Sequence, residues 1–372
     1  MTRQRAVGAY CLGCMLLAGC EPPPTDALSG LLSAPVAPTA VFAQARPGTG
    51  ITLPQDLGSH PAYRLEWWYL TANLHSAAGD AFGVQWTLFR ASTRGRNKEF
   101  EGEPRPVGWY SDELWLAHAA LSQPGQHRFV SRLARGGSGQ AGATAQPFAA
   151  WIDDWQLAAA ARDAQSHEGG QGWTLQAHGD DFAYRLHLLP SLAPVLHGDN
   201  GFSAKSVQGG GSMYFSYPGL AVSGDLTVDG VTHEVSGQGW FDREWSSQLL
   251  QPDQQGWDWL ALHLDDGQRL MLFRVRGETP FYAASLIQAD GSAQALAADE
   301  FVLAPLGYRD SQRGPVPVRW RVELPGRGIE LEVSSWPGDY WNPGRLSYWE
   351  GPVQVNGSHQ GEGYLEMTGY GD

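Results

Sequence analysis

Beyond its first twenty residues this 372-residue chain has no cysteine, because Cys11, Cys14 and Cys20 are its only three. The rest of the chain therefore has no disulfide and no thiolate ligand for a metal ion. It also lacks a Gly-x-Ser-x-Gly elbow, a His-Glu-x-x-His zinc motif and a Walker loop. These absences imply no metal and no other cofactor, and they leave carboxylates and water as the means of any hydrolysis.

Positive charge is also scarce in this sequence. The 25 Lys and Arg residues stand against 39 Asp and Glu residues, which gives a formal net charge of −14. The basic residues are scattered and form no stripe among aromatic residues, whereas phosphate binding needs clustered Lys and Arg. The composition therefore argues against nucleic acid as a partner.

The start of the chain is typical of an export signal. Two arginines precede an uncharged, mostly apolar run from Ala6 to Ala18, which predicts a secretory signal peptide over residues 1–19. The run Leu17-Ala18-Gly19-Cys20 is similar to the lipobox of bacterial lipoproteins, in which Cys20 would carry diacylglycerol. This predicts a lipid anchor in the cell envelope, facing the periplasm, because acyl chains bind a bilayer without a spanning helix. Glu21 favours the outer membrane.

Residues 20–59 form the predicted lipidated cysteine and a tether. This stretch is rich in Pro, Ala, Ser and Thr and has no sustained hydrophobic period, so it buries too little apolar surface to order itself. The remaining three hundred or so residues are enough for two domains.

Strand patterns dominate after the tether. Apolar residues alternate with polar or small ones from Phe82 to Leu88 and from Leu260 to Leu264, which is the period of a strand with one buried face. Asp-Gly and Asn-Gly pairs, the preferred residues of tight hairpin turns, separate such runs. Only residues 156–165 and 112–121 resemble short helices, and 47 glycines argue against a helical bundle. The fold class is therefore predicted to be all-β.

Two hairpin signatures each occur twice, in the same order. The opening signature Trp67-x-Tyr69-Leu70 is repeated as Trp257-x-Trp259-Leu260. The closing signature Gly239-Trp240-Phe241-Asp242 is repeated as Gly363-Tyr364-Leu365-Glu366. We therefore expect domains over residues 60–248 and 255–370, each an antiparallel barrel or strongly curved sheet.

Together these segments resemble the carotenoid 1,2-hydratase/AttH family, also labelled predicted secreted hydrolases. The resemblance extends from about His60 to Tyr370 and implies two tandem lipocalin-like antiparallel β-barrel domains. It also implies either hydration of a carotenoid-like alkene or an attachment or transport role. The segments that carry it are Glu66-Trp67-Trp68-Tyr69, His118-Ala119-Ala120, residues 205–217, Gly239 to Trp245, Gly256 to Trp259, Tyr348 to Pro352 and Gly361 to Tyr370.

Carotenoid hydration, which the resemblance implies, needs a carboxylic acid that stays protonated near neutral pH. Such an acid protonates a carbon–carbon double bond, aromatic faces stabilise the resulting cation, and water attacks it. Burial among tryptophans favours the protonated form of a carboxyl group. Acidic residues stand beside tryptophans at Glu66, Asp242, Glu244, Asp258 and Glu350. We expect Asp242 or Asp258 to be the acid, with Glu244 and Glu66 as further candidates and with Trp240, Trp259 and Tyr214 lining the pocket.

A structural role for these acids is the alternative. Neighbours in a strand point to opposite faces, so an acid between two tryptophans could instead pair with Arg243, Arg274 or Arg90. Such a pair lowers the carboxyl pKa, which suits a base and not an acid.

Other residues are candidates for ligand binding. His118 lies in an apolar run and needs a polar partner, so it is either a satisfied structural histidine or a pocket residue. Lys205 could meet an anionic ligand at a barrel mouth or face solvent. The aromatic candidates, some of which must instead be core, are Trp68, Tyr69, Tyr214, Tyr217, Trp240, Trp259 and Trp349.

Three functions remain open at this point. The first is a membrane-tethered protein that holds an apolar small molecule, such as a lipid or terpenoid, inside lipocalin-like barrels. An ABC transporter is the further partner that this function suggests. The second is a hydro-lyase or hydrolase that acts on such a ligand by carboxylic-acid catalysis. The third is a non-catalytic attachment or transport accessory role.

Overall fold

A computed structural model describes residues 42–93, 95, 111–160, 172–248 and 250–371. The predicted signal peptide, Cys20 and most of the tether lie outside these described residues. The chain is almost entirely antiparallel β-structure, arranged as two sheets. Within the described ranges, no helical segment has the length and apolar character needed to cross a bilayer.

The first sheet is formed by the strands between Leu65 and Ser246. They are β1 (Leu65–Ser76), β2 (Ala81–Ser92), β3 (Glu113–Gln123), β4 (Gln126–Arg135), β5 (Ala141–Ala145), β6 (Phe148–Ile152), β7 (Trp155–Ala159), β8 (Trp173–His178), β9 (Phe182–Pro190), β10 (Val195–Leu196), β11 (Phe202–Ala204), β12 (Gly211–Val228) and β13 (Val231–Ser246).

The second sheet is formed by the strands between Gly256 and Met367. They are β14 (Gly256–Leu264), β15 (Arg269–Arg276), β16 (Phe281–Ile287), β17 (Ala293–Leu296), β18 (Val302–Ser311), β19 (Gly314–Leu324), β20 (Ile329–Ser335), β21 (Trp341–Asn342), β22 (Tyr348–Gly357) and β23 (Gly361–Met367).

The first sheet curls into a barrel. Its strand order is β4-β3-β2-β1-β13-β12-β9-β8-β7-β6-β5, and β6 near one end packs against β2, β3 and β4 near the other. Apolar side chains fill the space inside, among them Trp68, Trp86, Trp115 and Trp155. Burial of these large aromatic side chains is the main stabilising contribution to the barrel.

The second sheet is a half-barrel with the order β17-β16-β15-β14-β23-β22-β20-β19-β18. Leu260, Leu262, Trp320 and Trp349 belong to the apolar cluster on its concave side. The two curled antiparallel sheets confirm the predicted all-β, lipocalin-like fold class.

The duplicated signatures occupy equivalent places in the two sheets. β1 pairs with β2 and with β13, just as β14 pairs with β15 and with β23. Since side chains alternate along a strand, Trp68 and Leu70 point into the first barrel while Tyr69 points outward. The outward faces of these strands meet, with β1 against β23, and they bury a third apolar cluster between the sheets.

The two segments that resembled helices are strands where the structure describes them. Residues 112–121 largely coincide with β3, and residues 156–159 belong to β7, whereas residues 161–165 lie outside the described part of the chain. The side chains of β3 are buried on both faces, by the barrel interior and by neighbouring loops and the second sheet. A strand buried on both sides has no polar alternation in its sequence, which explains why it resembled a helix.

Candidate functional site

A cavity of about 90 Å³ lies between the two sheets. The sequence led us to expect ligand space inside a barrel, but the interior of the first barrel is occupied by tryptophan and leucine side chains. This cavity instead uses the outward faces of β1, β13, β14 and β23. Its volume exceeds that of one water molecule several-fold, since one water needs about 10–15 Å³ by this measure. Its aromatic lining residues are Trp67, Tyr69, Phe89, Trp257, Trp259, Phe273 and Tyr348.

Asp242 of β13 is one of the carboxyl groups that face the cavity. The Trp240 indole Nε1–H donates to its Oδ1 at 2.6 Å, the Tyr214 hydroxyl contacts Oδ2 at 2.9 Å, and the Ser216 hydroxyl donates to Oδ1. Burial raises the pKa of Asp242 to about 7, although these hydrogen bonds oppose the rise. Asp242 therefore exchanges a proton in the neutral pH range.

Glu366 of β23 is a second cavity carboxyl with the same property. The Trp257 indole Nε1–H donates to its Oε1 at 2.6 Å. Burial raises the pKa of Glu366 to about 7, and the charge of Glu244 adds to the rise. Sequence reasoning did not select Glu366, because no tryptophan adjoins it in the chain. The internal repeat contains the signal that would have found it, since Glu366 occupies the place of Asp242 in the second closing hairpin.

Glu350 of β22 is paired in register with Glu366. The Tyr69 hydroxyl donates to Glu350 Oε1 at 2.5 Å, and the Asn342 amide donates to Oε2 at 3.1 Å. Burial raises the pKa of Glu350 well above its usual range, and the charge of Glu366 acts in the same direction. Glu350 is thus a protonated carboxyl that joins the first sheet to the second.

Lys205 and Glu244 form an ion pair at one side of the cavity. Their Nζ and Oε1 atoms are 3.0 Å apart, and the Ser212 hydroxyl also donates to Glu244. The Lys205 ammonium lies 4.1 Å from the ring centroid of Phe273 and 5.2 Å from that of Tyr214. The charge of Lys205 is therefore held by a carboxylate and two aromatic faces.

Trp259 links the two sheets beside Asp242. Its indole Nε1–H donates to the Tyr214 hydroxyl at 3.2 Å, and its ring packs edge-on against Tyr69 and Trp240. The structure thus brings together Asp242, Trp240, Tyr214 and Trp259, the residues that the sequence grouped around one acid.

Two other predicted acids lie in a different environment, clamped by arginines. Glu66 is buried between Arg90 and Arg243, which hold its pKa well below the usual range against the effect of burial. Asp258 lies between Arg274 and Arg276. Its Oδ2 is 2.8 Å from Arg274 Nη2, and its Oδ1 is 2.7 Å from Arg276 Nη1. Asp258 lies on the strand face opposite to Trp257 and Trp259, and Glu66 lies on the face opposite to Trp67 and Tyr69, although Glu66 and Arg90 also border the cavity. The pairing anticipated as the structural alternative is therefore present at Glu66 and Asp258.

Several predicted ligand-binding residues lie outside the cavity wall, among them Trp240 and Tyr214, which contact Asp242 but do not line the cavity. Trp68 is packed in the first barrel under the Arg243 guanidinium, which is 3.8 Å from the ring centroid. Trp349 lies in the core of the second sheet. Tyr217 packs edge-on against Trp173 at a centroid distance of 4.9 Å.

His118 is buried at the contact between the sheets. Its Nδ1 lies 2.9 Å from the hydroxyl of Tyr348, a cavity residue, and the two rings stack. Burial lowers the pKa of His118 to about 3, so the imidazole is neutral. Its role in this geometry is to hold Tyr348, which the sequence analysis had not singled out.

The chain matches the family model described as AttH-like over residues 44–370. The comparison with curated proteins gives no match.

Solved structures with a similar fold include an AttH candidate from Nitrosomonas europaea. It is 33% identical, with a TM-score of 0.76, and the match covers 89% of this chain and 100% of that one. Kievitone hydratase from Nectria haematococca is 14% identical, with a TM-score of 0.61 and coverage of 89% and 96%. CghA in complex with Sch210972 is 12% identical, with a TM-score of 0.50 and coverage of 90% and 98%. The second and third similarities show a shared fold.

Proposed function

This chain belongs to the AttH-like family, and on that premise we propose that it is a hydratase-like hydro-lyase. It binds an apolar alkene in the cavity between its two sheets and adds water across the double bond. The observation that carries this proposal is the pair Asp242 and Glu366, two cavity carboxyl groups whose pKa values are each raised to about 7 by burial.

These carboxyl groups suit the first step of hydration. Protonation of an isolated double bond needs an acid that is still protonated near neutral pH and lies against the substrate. An ordinary surface carboxyl, with a pKa near 4, is ionised under those conditions. Asp242 and Glu366 keep a protonated fraction at neutral pH because they are desolvated, and the indole rings of Trp257 and Trp259 line the same cavity.

The walls of the cavity suit the second step. A tertiary carbocation formed by protonation is stabilised by aromatic faces and by nearby anionic groups. Trp257 and Trp259 supply such faces close to Glu366 and Asp242. The Lys205 ammonium sits against Phe273, so the cationic carbon is best placed at the tryptophan end, away from Lys205.

The structural relatives support the reaction class and no finer detail. Kievitone hydratase shares the fold and is named as a hydratase. The chemistry of the cavity favours a neutral, apolar substrate with a trisubstituted alkene, such as the end of an isoprenoid chain.

The experiment is a hydration assay with the full-length protein in detergent. Acyclic carotenoids, squalene and prenylated phenols are incubated in ¹⁸O-labelled water, and the products are analysed by mass spectrometry. We expect one substrate class to gain one labelled water, and Asp242→Asn and Glu366→Gln each to lower the rate about 10²–10⁴-fold without loss of the folded state.

Two results would count against hydration. If a compound co-purifies with the protein and stays unchanged, the chain is a binding protein of the kind that serves an ABC transporter. If no compound in the panel binds or reacts, the cavity has no such ligand and an attachment role becomes the better explanation.

We also propose that the protein is lipidated at Cys20 and works in the cell envelope, on the basis of the sequence before the described residues. Radiolabelled palmitate should enter the wild-type protein and not Cys20→Ser. Labelling of both proteins would contradict the proposal.

A further inference from the structure

We propose that the two cavity carboxyl groups have different roles, with Glu366 donating the proton to the alkene and ionised Asp242 accepting a proton from the attacking water. This division of roles rests on the proposed function. The unequal hydrogen bonding of the two groups is the observation that carries it.

Asp242 is surrounded by hydrogen-bond donors. The Trp240 indole Nε1 can only donate, and it lies 2.6 Å from Oδ1. The Tyr214 hydroxyl accepts from the Trp259 indole, so its own proton is free to point at Asp242 Oδ2, 2.9 Å away. Asp242 therefore receives one hydrogen bond from an indole N–H group and a second from the Tyr214 hydroxyl, which the Trp259 indole orients.

Ser216 supplies the third donation to Asp242. Its hydroxyl lies 2.7 Å from His197 Nε2, and His197 Nδ1 lies 2.9 Å from the Ser285 hydroxyl. When Nε2 of the neutral imidazole carries its proton, the histidine donates to Ser216, which then donates to Asp242 Oδ1. Hydrogen bonds donated to a carboxyl group favour its ionised form, so this arrangement prepares Asp242 as the base.

Glu366 has a contrasting environment. Among the described residues it accepts one hydrogen bond, from Trp257 at Oε1. Glu350 faces it across the β22–β23 pair. The charge of Glu244 raises the pKa of both Glu366 and Asp242, so it does not distinguish the two groups. One donor at Glu366, against three at Asp242, stabilises the ionised form less, so Glu366 is prepared as the acid.

The hydration step balances with these roles. The O–H bond of Glu366 breaks as a C–H bond forms at one alkene carbon, which leaves Glu366 ionised and the other carbon cationic. The oxygen of water forms a C–O bond to that carbon and loses a proton to Asp242. The net change is one alkene plus one water to one alcohol. The resting state returns when Asp242 releases its proton to solvent and Glu366 takes one up.

The first test measures protonation and needs no substrate. Infrared difference spectra of the carboxylic-acid C=O stretch are recorded between pH 5 and pH 9 for wild type, Asp242→Asn, Glu366→Gln and Glu350→Gln. The exposed Glu332→Gln serves as the control. We expect Glu366→Gln to remove a protonated-carboxyl signal that persists to higher pH than the signal removed by Asp242→Asn, and Glu350→Gln to remove another. Equal titration midpoints for the Asp242 and Glu366 signals, or an Asp242 signal that persists to the higher pH, overturns the division of roles.

The second test separates this inference from the proposed function. With a hydrated substrate, Glu366→Asp should move the alkaline limb of the pH-rate profile, which reports the essential acid, and Asp242→Glu should move the acidic limb, which reports the essential base. The reverse assignment of the limbs overturns the inference while hydration stands. If the infrared result is as expected and no substrate is hydrated, the protonation states stand and the proposed function fails.

Discussion

The buried acids of this protein fall into two sets on opposite faces of the same group of strands. Glu66 and Asp258 face the interiors of the two sheets, and each is held between two arginines. Asp242 and Glu366 face the cavity between the sheets, and their partners are indole N–H groups and hydroxyls. Glu66, Asp258 and Asp242 are buried and Glu366 is partly buried, so the partner of each acid, more than its burial, decides what that acid can do.

The comparison shows how one physical effect leads to two outcomes. Desolvation raises the pKa of every buried carboxyl group, and a neighbouring guanidinium can outweigh it. At Glu66 the charges of Arg90 and Arg243 outweigh desolvation, so the pKa of Glu66 lies well below its usual range. At Asp242, neutral donors offset only part of the desolvation, so the pKa stays near 7. The first set is suited to holding strands together, and the second to moving protons.

Breaking an arginine clamp should have the largest effect. Glu66→Gln removes the negative charge between two buried guanidinium groups, and loss of one partner of a buried ion pair costs about 3–5 kcal/mol. We expect a clear fall in the free energy of unfolding, measured by chemical denaturation. Glu332→Gln, which removes an exposed pair with Arg319, is the control and should leave stability unchanged. Equal stability of Glu66→Gln and wild type would contradict a clamping role.

Removing an aromatic face from the cavity tests the catalytic set next. Trp259→Leu deletes the ring next to Asp242, and loss of a desolvated cation–π contact costs about 2 kcal/mol, so the hydration rate should fall about 30-fold. Trp259→Phe is the matched control, because it keeps a ring face and loses the N–H donated to Tyr214. We expect it to keep most of the activity. Similar losses in both variants would show that the hydrogen bond, not the ring, is what matters.

Stability should respond to pH in opposite directions through Asp242 and through Glu66. Because the pKa of Asp242 is raised on folding, its contribution favours the folded state most below pH 4 and is lost as the pH rises through about 7. Asp242→Asn should therefore have a Tm about 2–4 °C above wild type at pH 8, with the difference disappearing at pH 4.

Glu66, the acid held between two arginines, should give the opposite pH dependence of folding stability in the same measurement. The pKa of Glu66 is lowered on folding, so its contribution is present above pH 4–5 and is lost as the pH falls through its low folded value. Differential scanning calorimetry of wild type and both variants across this range compares the two directly. A Tm difference for Asp242→Asn that does not vary with pH would contradict the raised pKa.

The smallest expected effect comes from the cation beside the cavity. Lys205→Met leaves Glu244 without its ammonium partner, so the uncompensated charge should raise the pKa of Asp242 and Glu366 further. The alkaline limb of the pH-rate profile should move to higher pH by about 0.5 pH units, which is the size of effect that a partly screened charge produces. Lys205→Arg should restore the wild-type profile, whereas a shift to lower pH in Lys205→Met would contradict this electrostatic reading.

The sequence was informative about the strands and the grouping around Asp242. Period-two runs and hairpin turns identified β2 and β14 and predicted the all-β fold class. The sequence also groups Trp240 and Tyr214 with Asp242, and both contact it. Local pattern was sufficient here because Trp240 lies two residues from Asp242 on the same strand and Tyr214 lies on the neighbouring strand of the same hairpin.

The location of the cavity could not be obtained in that way. In Trp67-Trp68-Tyr69 both strand faces are apolar, so alternation does not reveal which face lines a barrel and which meets the other sheet. The same ambiguity placed Asp258 among the candidate acids although its side chain points toward Arg274 and Arg276. Resolving it requires the register and packing of both sheets.

The cavity draws one proton-transfer group from each copy of the closing hairpin, Asp242 from the first and Glu366 from the second. Among the described residues, neither half of the molecule therefore contains both members of the proposed reactive pair. If that pair carries the reaction, a chain severed between the sheets would be inert as separate pieces, and activity would return only through complementation of the two fragments.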